Sequence, residues 1–176
     1  LVDLTNQLLD FRQTEINGFT LNFTRENIID ITEEIFASFK PLAEQKDIIL
    51  NIKLPLQEVY AFIDVDAFNK ILTNLLSNAV KYAKSKAELQ IFAVGPTDTM
   101  FTIEVSNDGY IIPAEMKEKI FEPFFRLKET EKQKGTGIGL ALSRSLTQLH
   151  KGLLGLKETD NKMNVFFVSI PLHQNS

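Results

Sequence analysis

The chain has 176 residues, enough for one domain with a real hydrophobic core. Its 19 basic against 23 acidic side chains give a formal net charge of -4 and a pI near 5.3, which argues against nucleic acid as a standing partner, since proteins that neutralise phosphate show a basic excess. The lack of cysteine excludes a disulfide framework and cysteine-ligated zinc, and no apolar run approaches the ~20 residues that span a bilayer.

Taken in order, the chain opens with apolar residues at Leu1, Leu4, Leu8 and Phe11, a helical seam without an N-terminal cap that reads as the tail of a longer helix in a fragment of something larger. Gly18 breaks it, and residues 20–24 alternate as a strand would. A second helix is expected from Asn27 to about Lys46 through Ile28, Ile31, Ile35, Phe36 and Phe39. Pro41 should kink it or mark a re-start, because a mid-helix proline loses a hydrogen bond. Residues 48–52 and 59–63 read as short strands on either side of a turn at Pro55. Asp64 or Asp66 then caps a helix running from Ala67 to about Ala83.

That third helix carries the stretch around which the rest is arranged. Asn74, Asn78, Lys81 and Tyr82 stand at i, i+4, i+7 and i+8, on one face, while Ile71, Leu72, Leu75, Ala79 and Val80 occupy much of the remaining circumference. Each uncompensated polar group in a dry core costs about 1–3 kcal/mol. The stripe must therefore be satisfied by other side chains or line a wet cleft that holds a ligand.

Two strands follow, residues 88–94 and 100–106, joined at Gly95-Pro96-Thr97-Asp98. In the second, Phe101, Ile103 and Val105 face one side and Thr102, Glu104 and Ser106 the other, the pattern of a half-buried antiparallel strand. After Asn107-Asp108-Gly109-Tyr110-Ile111-Ile112-Pro113 comes a short amphipathic helix through Met116 and Ile120 and the cluster Phe121-Glu122-Pro123-Phe124-Phe125. Residues 126–134 contain one apolar side chain, Leu127, and should form either a mobile lid or a plain surface loop. Gly135-Thr136-Gly137-Ile138-Gly139 leads into a helix with Leu142, Leu146 and Leu149 on one face, stopped by Gly152 as C-terminal cap. Residues 153–157 and 164–170 close the chain as a hairpin. The expected fold class is α+β: a two-layer sandwich of a mixed, mostly antiparallel sheet with helices on one face.

The glycine run frees backbone N–H groups, with the dipole of the following helix, to approach an anion. It is a phosphate cradle by its physics and a flexible hinge for residues 126–134 by the plainer reading. Neither common nucleotide motif fits: no Gly-x-x-x-x-Gly-Lys-Ser/Thr occurs, and Leu140 stands where a dinucleotide fingerprint needs its third glycine.

Four motifs in order, Asn74-x3-Asn78-Ala79-x-Lys81-Tyr82, Asn107-Asp108-Gly109, Phe121-Glu122-Pro123-Phe124-Phe125 and Gly135-Thr136-Gly137-Ile138-Gly139-Leu140, resemble the N, G1, F and G2 boxes of sensor histidine kinases. The resemblance covers about residues 19–172 and is most like hybrid two-component sensors of the Bacteroides type. It implies an ATP-binding catalytic domain at 18–176 in the gyrase and histidine-kinase superfamily, with 1–17 the end of a preceding dimerisation helix. It further implies ATP and Mg2+ as cofactors. Asn74, Asn78 and Lys81 are then the catalytic residues, with Asn78 the metal ligand. Asn78, Lys81, Tyr82, Asn107, Gly109, Ile112, Gly135, Thr136, Gly137, Ile138, Gly139 and Leu140 hold the nucleotide, and Phe124 and Phe125 anchor the lid or are plain core. The implied partners are the phosphoacceptor domain of the same protein, a response-regulator receiver domain and a second copy in a homodimer. No nucleic acid is expected, and the location implied is the cytoplasmic side of a membrane-anchored sensor.

The chain departs from the family pattern at the base. Where relatives carry Asp-x-Gly-x-Gly, whose aspartate accepts from the adenine amino group, this chain has Asn107 for the aspartate and Ile111 for the second glycine. An amide oxygen still accepts, about half as strongly as a carboxylate. Asp108 could substitute only if the register slips by one. The acceptor histidine is absent, since neither His150 nor His173 has the family's flanking residues; His150 is expected at a helix end that suits a cation. Two other readings stay open: a gyrase-like or MutL-like hydrolase, disfavoured because Asn74 replaces its water-activating glutamate, and a degenerate nucleotide-binding or regulatory module.

Overall fold

The computed structural model describes residues 2–175. Leu1, the first position of the expected N-terminal seam, lies outside the described residues. The elements run α1 (Val2–Glu15), β1 (Thr24–Asn27), α2 (Ile28–Gln45), β2 (Ile49–Lys53), β3 (Tyr60–Ile63), α3 (Val65–Tyr82), β4 (Lys86–Ile91), β5 (Met100–Asn107), α4 (Gly139–Leu149), β6 (Leu153–Lys157) and β7 (Asn164–Pro171). Three single 3-10 turns lie between β5 and α4. Among the described residues no helix is long and apolar enough to cross a membrane.

The main sheet has five strands in the order β2-β4-β5-β7-β6, antiparallel except for the β2–β4 pair. The alternation read in β5 is present: Phe101, Ile103 and Val105 are buried and face the helices, while Thr102, Glu104 and Ser106 are half-exposed on the other side. The helix layer fits that apolar face. Phe68 of α3 meets Phe101 edge-on with ring centroids 6.1 Å apart, and Ile71, Leu72, Leu75 and Leu76 are at most 2 % exposed. Each such side chain contributes about 1.5–3 kcal/mol by leaving water. The sandwich is the architecture that the element order implied.

Several local expectations are corrected. The first strand is Thr24–Asn27, not residues 20–24, and it pairs antiparallel with β3 outside the main sheet. Asn22 N–H is instead held by the Asp64 carboxylate at 2.8 Å, and Asn27 ends the strand by capping α2, accepting from Ile29 N–H at 3.1 Å. Pro41 neither ends nor restarts α2, which continues to Gln45. Burial of Ile28, Phe36 and Ala43 along one face outweighs one lost backbone bond. Asp64, rather than Asp66, caps α3 by accepting from Ala67 N–H at 2.9 Å. The segment through Met116 and Ile120 forms two 3-10 turns, Ala114–Met116 and Lys119–Phe121, because Pro113 and Pro123 leave too few residues to nucleate an α-helix.

At the end of α4 the left-handed residue is Lys151 (φ 59), not Gly152. Gly152 N–H bonds Thr147 O at 2.9 Å and Lys151 N–H bonds Gln148 O at 2.8 Å, the paired bonds of a Schellman ending. His150 is no exposed cation there. It is wholly buried, and burial lowers its pKa against the opposing pull of the Leu146 carbonyl and Asp64. Nδ1 lies 2.7 Å from Leu146 O and Nε2 accepts from Asp64 N–H at 3.2 Å. A carbonyl can only accept and a backbone N–H can only donate, so the ring is the neutral Nδ1–H form. It pins the start of α3 to the end of α4.

Candidate nucleotide site

A cavity of about 700 Å³ opens between the polar side of α3, the start of α4 and the loops after β5. It is lined by Asn74, Asn78, Lys81, Tyr82, Asn107, Ile112, Gly135, Thr136, Gly137, Gly139 and Leu140. Two of the anticipated site residues are absent from its wall. Ile138 is fully buried in the core. Gly109 packs against the end of α3, where an added Cβ would lie 2.0 Å from Tyr82 O, so its missing side chain serves helix–loop contact.

The stripe on α3 divides into tethered and open groups. Asn74 Nδ2 donates to Gly139 O at 3.1 Å and to Ser143 Oγ at 3.0 Å, binding α3 to the first turn of α4. Asn78 is half-buried, its side chain has no hydrogen-bond partner among the described residues, and it lines the cavity. Lys81 Nζ lies 4.6 Å from the centroid of the Tyr82 ring. It is so close to Gly135 that a Cβ there would stand 2.9 Å from Nζ. Lysine and glycine loop thus form one wall, with Arg126 and Lys134 adding positive charge at the same end.

The glycine loop is shaped by Gly137, whose φ of +74 favours glycine; a Cβ there would also lie 2.8 Å from Phe124 Cα. Phe124 N–H donates to Gly137 O at 2.8 Å. This holds Phe124 itself in a left-handed conformation (φ 67), with the residue 62 % exposed. Phe124 is therefore not core, whereas Phe125 lines the cavity and packs on the core beneath it. Thr136 Oγ1 accepts from Ile138 N–H at 3.2 Å. Gly139 and Leu140 line the cavity at the first turn of α4, where backbone N–H groups lack intrahelical acceptors and the helix dipole is positive. The arrangement suits a polyphosphate.

The loop at 126–134 is more organised than its composition suggests. It makes a 3-10 turn at Lys128–Thr130, and the Arg126 guanidinium donates to the carbonyls of Glu131, at 3.1 Å, and Gln133. Nearby, Arg144 stacks 4.1 Å over the Phe121 ring and pairs with Glu118 at 3.0 Å, fixing the turn that sends Ile120 into the cavity.

The cavity is also lined by the apolar Ile112, Ile120 and Phe166, with the amides Asn107 and Asn164 beside Ile112. Asn107 and Asn164 face each other across β5 and β7. Asn107 Oδ1 already accepts from Gly109 N–H at 3.0 Å and from Asn164 Nδ2 at 3.3 Å, so the oxygen expected to meet an adenine amino group is engaged within the protein. Asp108 is no substitute. Its carboxylate accepts from the N–H groups of Lys84, Ser85 and Lys86 at 2.9–3.0 Å and from the Ser85 hydroxyl. Burial alone would raise its pKa, but these bonds outweigh it and hold the group far below the usual carboxylate range. Asp108 caps the turn from α3 to β4.

Sequence reasoning missed several contributors. Asn164 and Phe166 come from the last strand, and only the β5–β7 register brings them to the cavity. Gln7 comes from α1, which supplies a further wall with Asp3 and Leu4; the Thr136 hydroxyl donates to Gln7 Oε1 at 2.6 Å. A strand-initial asparagine opposite Asn107 was a visible signal, but one without meaning until the strands are paired.

The chain has recognisable relatives among known proteins. Residues 63–174 match the family described as histidine kinase-, DNA gyrase B- and HSP90-like ATPase. The chain is 32% identical over 181 residues to hybrid signal transduction histidine kinase D of Dictyostelium discoideum, covering 99% of this chain and 12% of that one. It superposes on the catalytic domain of histidine kinase ThkA with a TM-score of 0.75 at 27% identity, over 87% of this chain and 97% of that one. ThkA in complex with the response regulator protein TrrA gives a TM-score of 0.78 at 24% identity, over 97% of this chain and 46% of that one. The chain spans 12–18% of the length of three of the curated relatives it matches, all histidine kinases.

Proposed function

Because the chain belongs to the histidine kinase-, DNA gyrase B- and HSP90-like ATPase family, we propose that it is the ATP-binding catalytic domain of a sensor histidine kinase. In this reading it presents the γ-phosphate of Mg-ATP to a histidine on a separate dimerisation domain. The observation that carries this is the split stripe on α3, where Asn74 is tethered and Asn78 is open beside Lys81 and the glycine loop. Lys81 and the first turn of α4 would neutralise and orient the phosphates, while Ile112, Ile120 and Phe166 exclude water from the base.

The donor set fits magnesium in a limited way. Among the described residues no group of three or more His, Cys, Asp or Glu could hold a metal. A hard cation here would rest on the Asn78 amide oxygen, with phosphate oxygens and water completing its shell. When bound, it would neutralise phosphate charge. The one carboxylate among the lining residues is Asp3 on α1. With the Asn74 amide committed to Gly139 and Ser143, no carboxylate on α3 is placed to activate water, which favours phosphoryl transfer by positioning over the gyrase-like hydrolase reading.

The remaining parts of the proposal are that α1 is the end of the dimerisation helix, that the whole protein is a homodimeric, membrane-anchored sensor, and that a response-regulator receiver domain takes the phosphoryl group. The ThkA–TrrA complex supports the response-regulator partner, and the much greater length of the histidine kinase relatives supports further domains beyond this one. Calorimetric titration with ATP, with and without magnesium, tests the core of the proposal. Binding should require magnesium and disappear in Asn78→Ala with the melting temperature retained. Magnesium-independent binding that Asn78→Ala leaves intact would refute it.

A further inference from the structure

Resting on the nucleotide reading above, one question is which base the far end of the cavity selects, and the hydrogen-bond network there has a single consistent orientation. Backbone N–H groups only donate, so Gly109 N–H fixes the Asn107 oxygen as Oδ1 at 3.0 Å and Ile112 N–H fixes the Asn164 oxygen as Oδ1 at 2.9 Å. A backbone carbonyl only accepts, so Tyr110 O, at 2.8 Å, fixes the Asn164 nitrogen as Nδ2. That nitrogen also donates to Asn107 Oδ1 at 3.3 Å. Both lone pairs of Asn107 Oδ1 are then in use, and neither amide can flip without placing donor against donor.

What remains of Asn107 is its Nδ2. It has no acceptor among the described residues, yet it is not one of the fully buried atoms left without a partner, which are Thr32 Oγ1 and Gln174 Oε1. Asn107 is 3 % exposed and lines the cavity, so the little surface Nδ2 has is turned to that space. The cationic groups Lys81 and Arg126 stand against the glycine loop, 2.9 and 4.0 Å from where a Cβ on Gly135 would lie, with Lys134 beside it in the chain, whereas the apolar Ile112, bonded to Asn164, and Phe166, two residues along β7 from it, line the cavity beside Asn107. A nucleoside triphosphate therefore enters with its phosphates at the glycine loop and its base beside Asn107. There the base meets a hydrogen-bond donor.

We infer that this site takes a 6-oxopurine nucleoside triphosphate at least as readily as an adenine one, with Asn107 Nδ2 donating to the ring carbonyl oxygen. An adenine amino group brings a second donor to the same place, and Asn107 has no lone pair left to receive it. The unmade bond disfavours adenine by up to about tenfold in affinity. A carboxylate at this position would reverse the preference. Its first oxygen would still accept from Gly109 and Asn164, and its second would offer the cavity an acceptor where the amide offers a donor.

The test is titration of this chain, in magnesium, with ATP and with inosine triphosphate, which differ in the group at position 6, a carbonyl in place of an amine, and in the proton the lactam carries on N1. The expected result is a dissociation constant for inosine triphosphate equal to that for ATP or up to about tenfold lower. In Asn107→Asp the ratio should shift about tenfold toward ATP. Tighter binding of ATP than of inosine triphosphate by the unaltered chain overturns the inference, as does an unchanged ratio in an Asn107→Asp chain that melts like its parent. Failure of both triphosphates to bind overturns the nucleotide reading and this inference with it, whereas an ATP preference overturns this inference alone.

Discussion

Replacing Asp108 by asparagine tests the division of labour in the Asn107-Asp108 pair. The carboxylate accepts from three successive N–H groups, Lys84, Ser85 and Lys86, and from the Ser85 hydroxyl. A hydrogen bond to a charged group contributes about 1.5–3 kcal/mol net, but these bonds share one charge and their donors stand on exposed residues that water can resolvate. Solvent screening reduces the sum further, and an amide in the same place keeps one acceptor while turning its NH2 against a donor. The expected loss for Asp108→Asn at pH 7 is about 1.5–3 kcal/mol, or roughly 3–12 °C in Tm for a chain of this size. The folded carboxyl is held below its unfolded pKa of about 3.9. Its stabilisation is therefore full above that value and is lost as pH falls through the folded one. Urea unfolding of both chains from pH 7 to pH 2.5 should show a gap that narrows below pH 4, with ATP affinity unchanged by the substitution. A gap that is absent at pH 7, or constant across the range, would refute the capping role; a large loss of ATP affinity at unchanged stability would return Asp108 to the base site.

Three further outcomes are expected. His150 is neutral when folded, its pKa lowered by burial, while the unfolded chain takes up a proton below about pH 6.5; stability should fall as pH drops through that region, and His150→Gln should flatten the dependence in melts between pH 7.5 and 5. Arg126 holds the loop carbonyls of Glu131 and Gln133, so Arg126→Ala should speed proteolytic nicking within 126–134 several-fold. Nucleotide should protect the unaltered loop, and equal cleavage with and without nucleotide would remove its role as a lid. Asn74→Ala deletes both bonds from α3 to α4 and should lower stability by about 1–2 kcal/mol by denaturant unfolding, in contrast to Asn78→Ala, which has no such partners to lose.

Local physics wrote much of this fold into the sequence. The 3.6-residue spacing of Ile71, Leu72, Leu75 and Ala79 marks α3 and its buried face; the two-residue alternation of Phe101, Ile103 and Val105 marks β5. The same spacing puts Asn74, Asn78 and Lys81 on one side of one helix, and the glycine run announces the loop they face. These signals are legible because they depend on neighbours within a turn or two of the chain. The burial of α2 that carries it through Pro41 and the neutral His150 wedged between α3 and α4 depend on partners dozens of residues away, and Asp64, whose cap on α3 is local, is also held by the distant Asn22 and His150. The base end of the site shows the limit most clearly. Asn107 is plain in the sequence, but which of its two amide atoms meets a ligand is set by Gly109, Ile112, Tyr110 and Asn164, and Asn164 stands opposite it only once β5 and β7 are in register. An amide carries donor and acceptor alike, so its residue type fixes neither role; the direction of its hydrogen bonds does, and only tertiary structure supplies that.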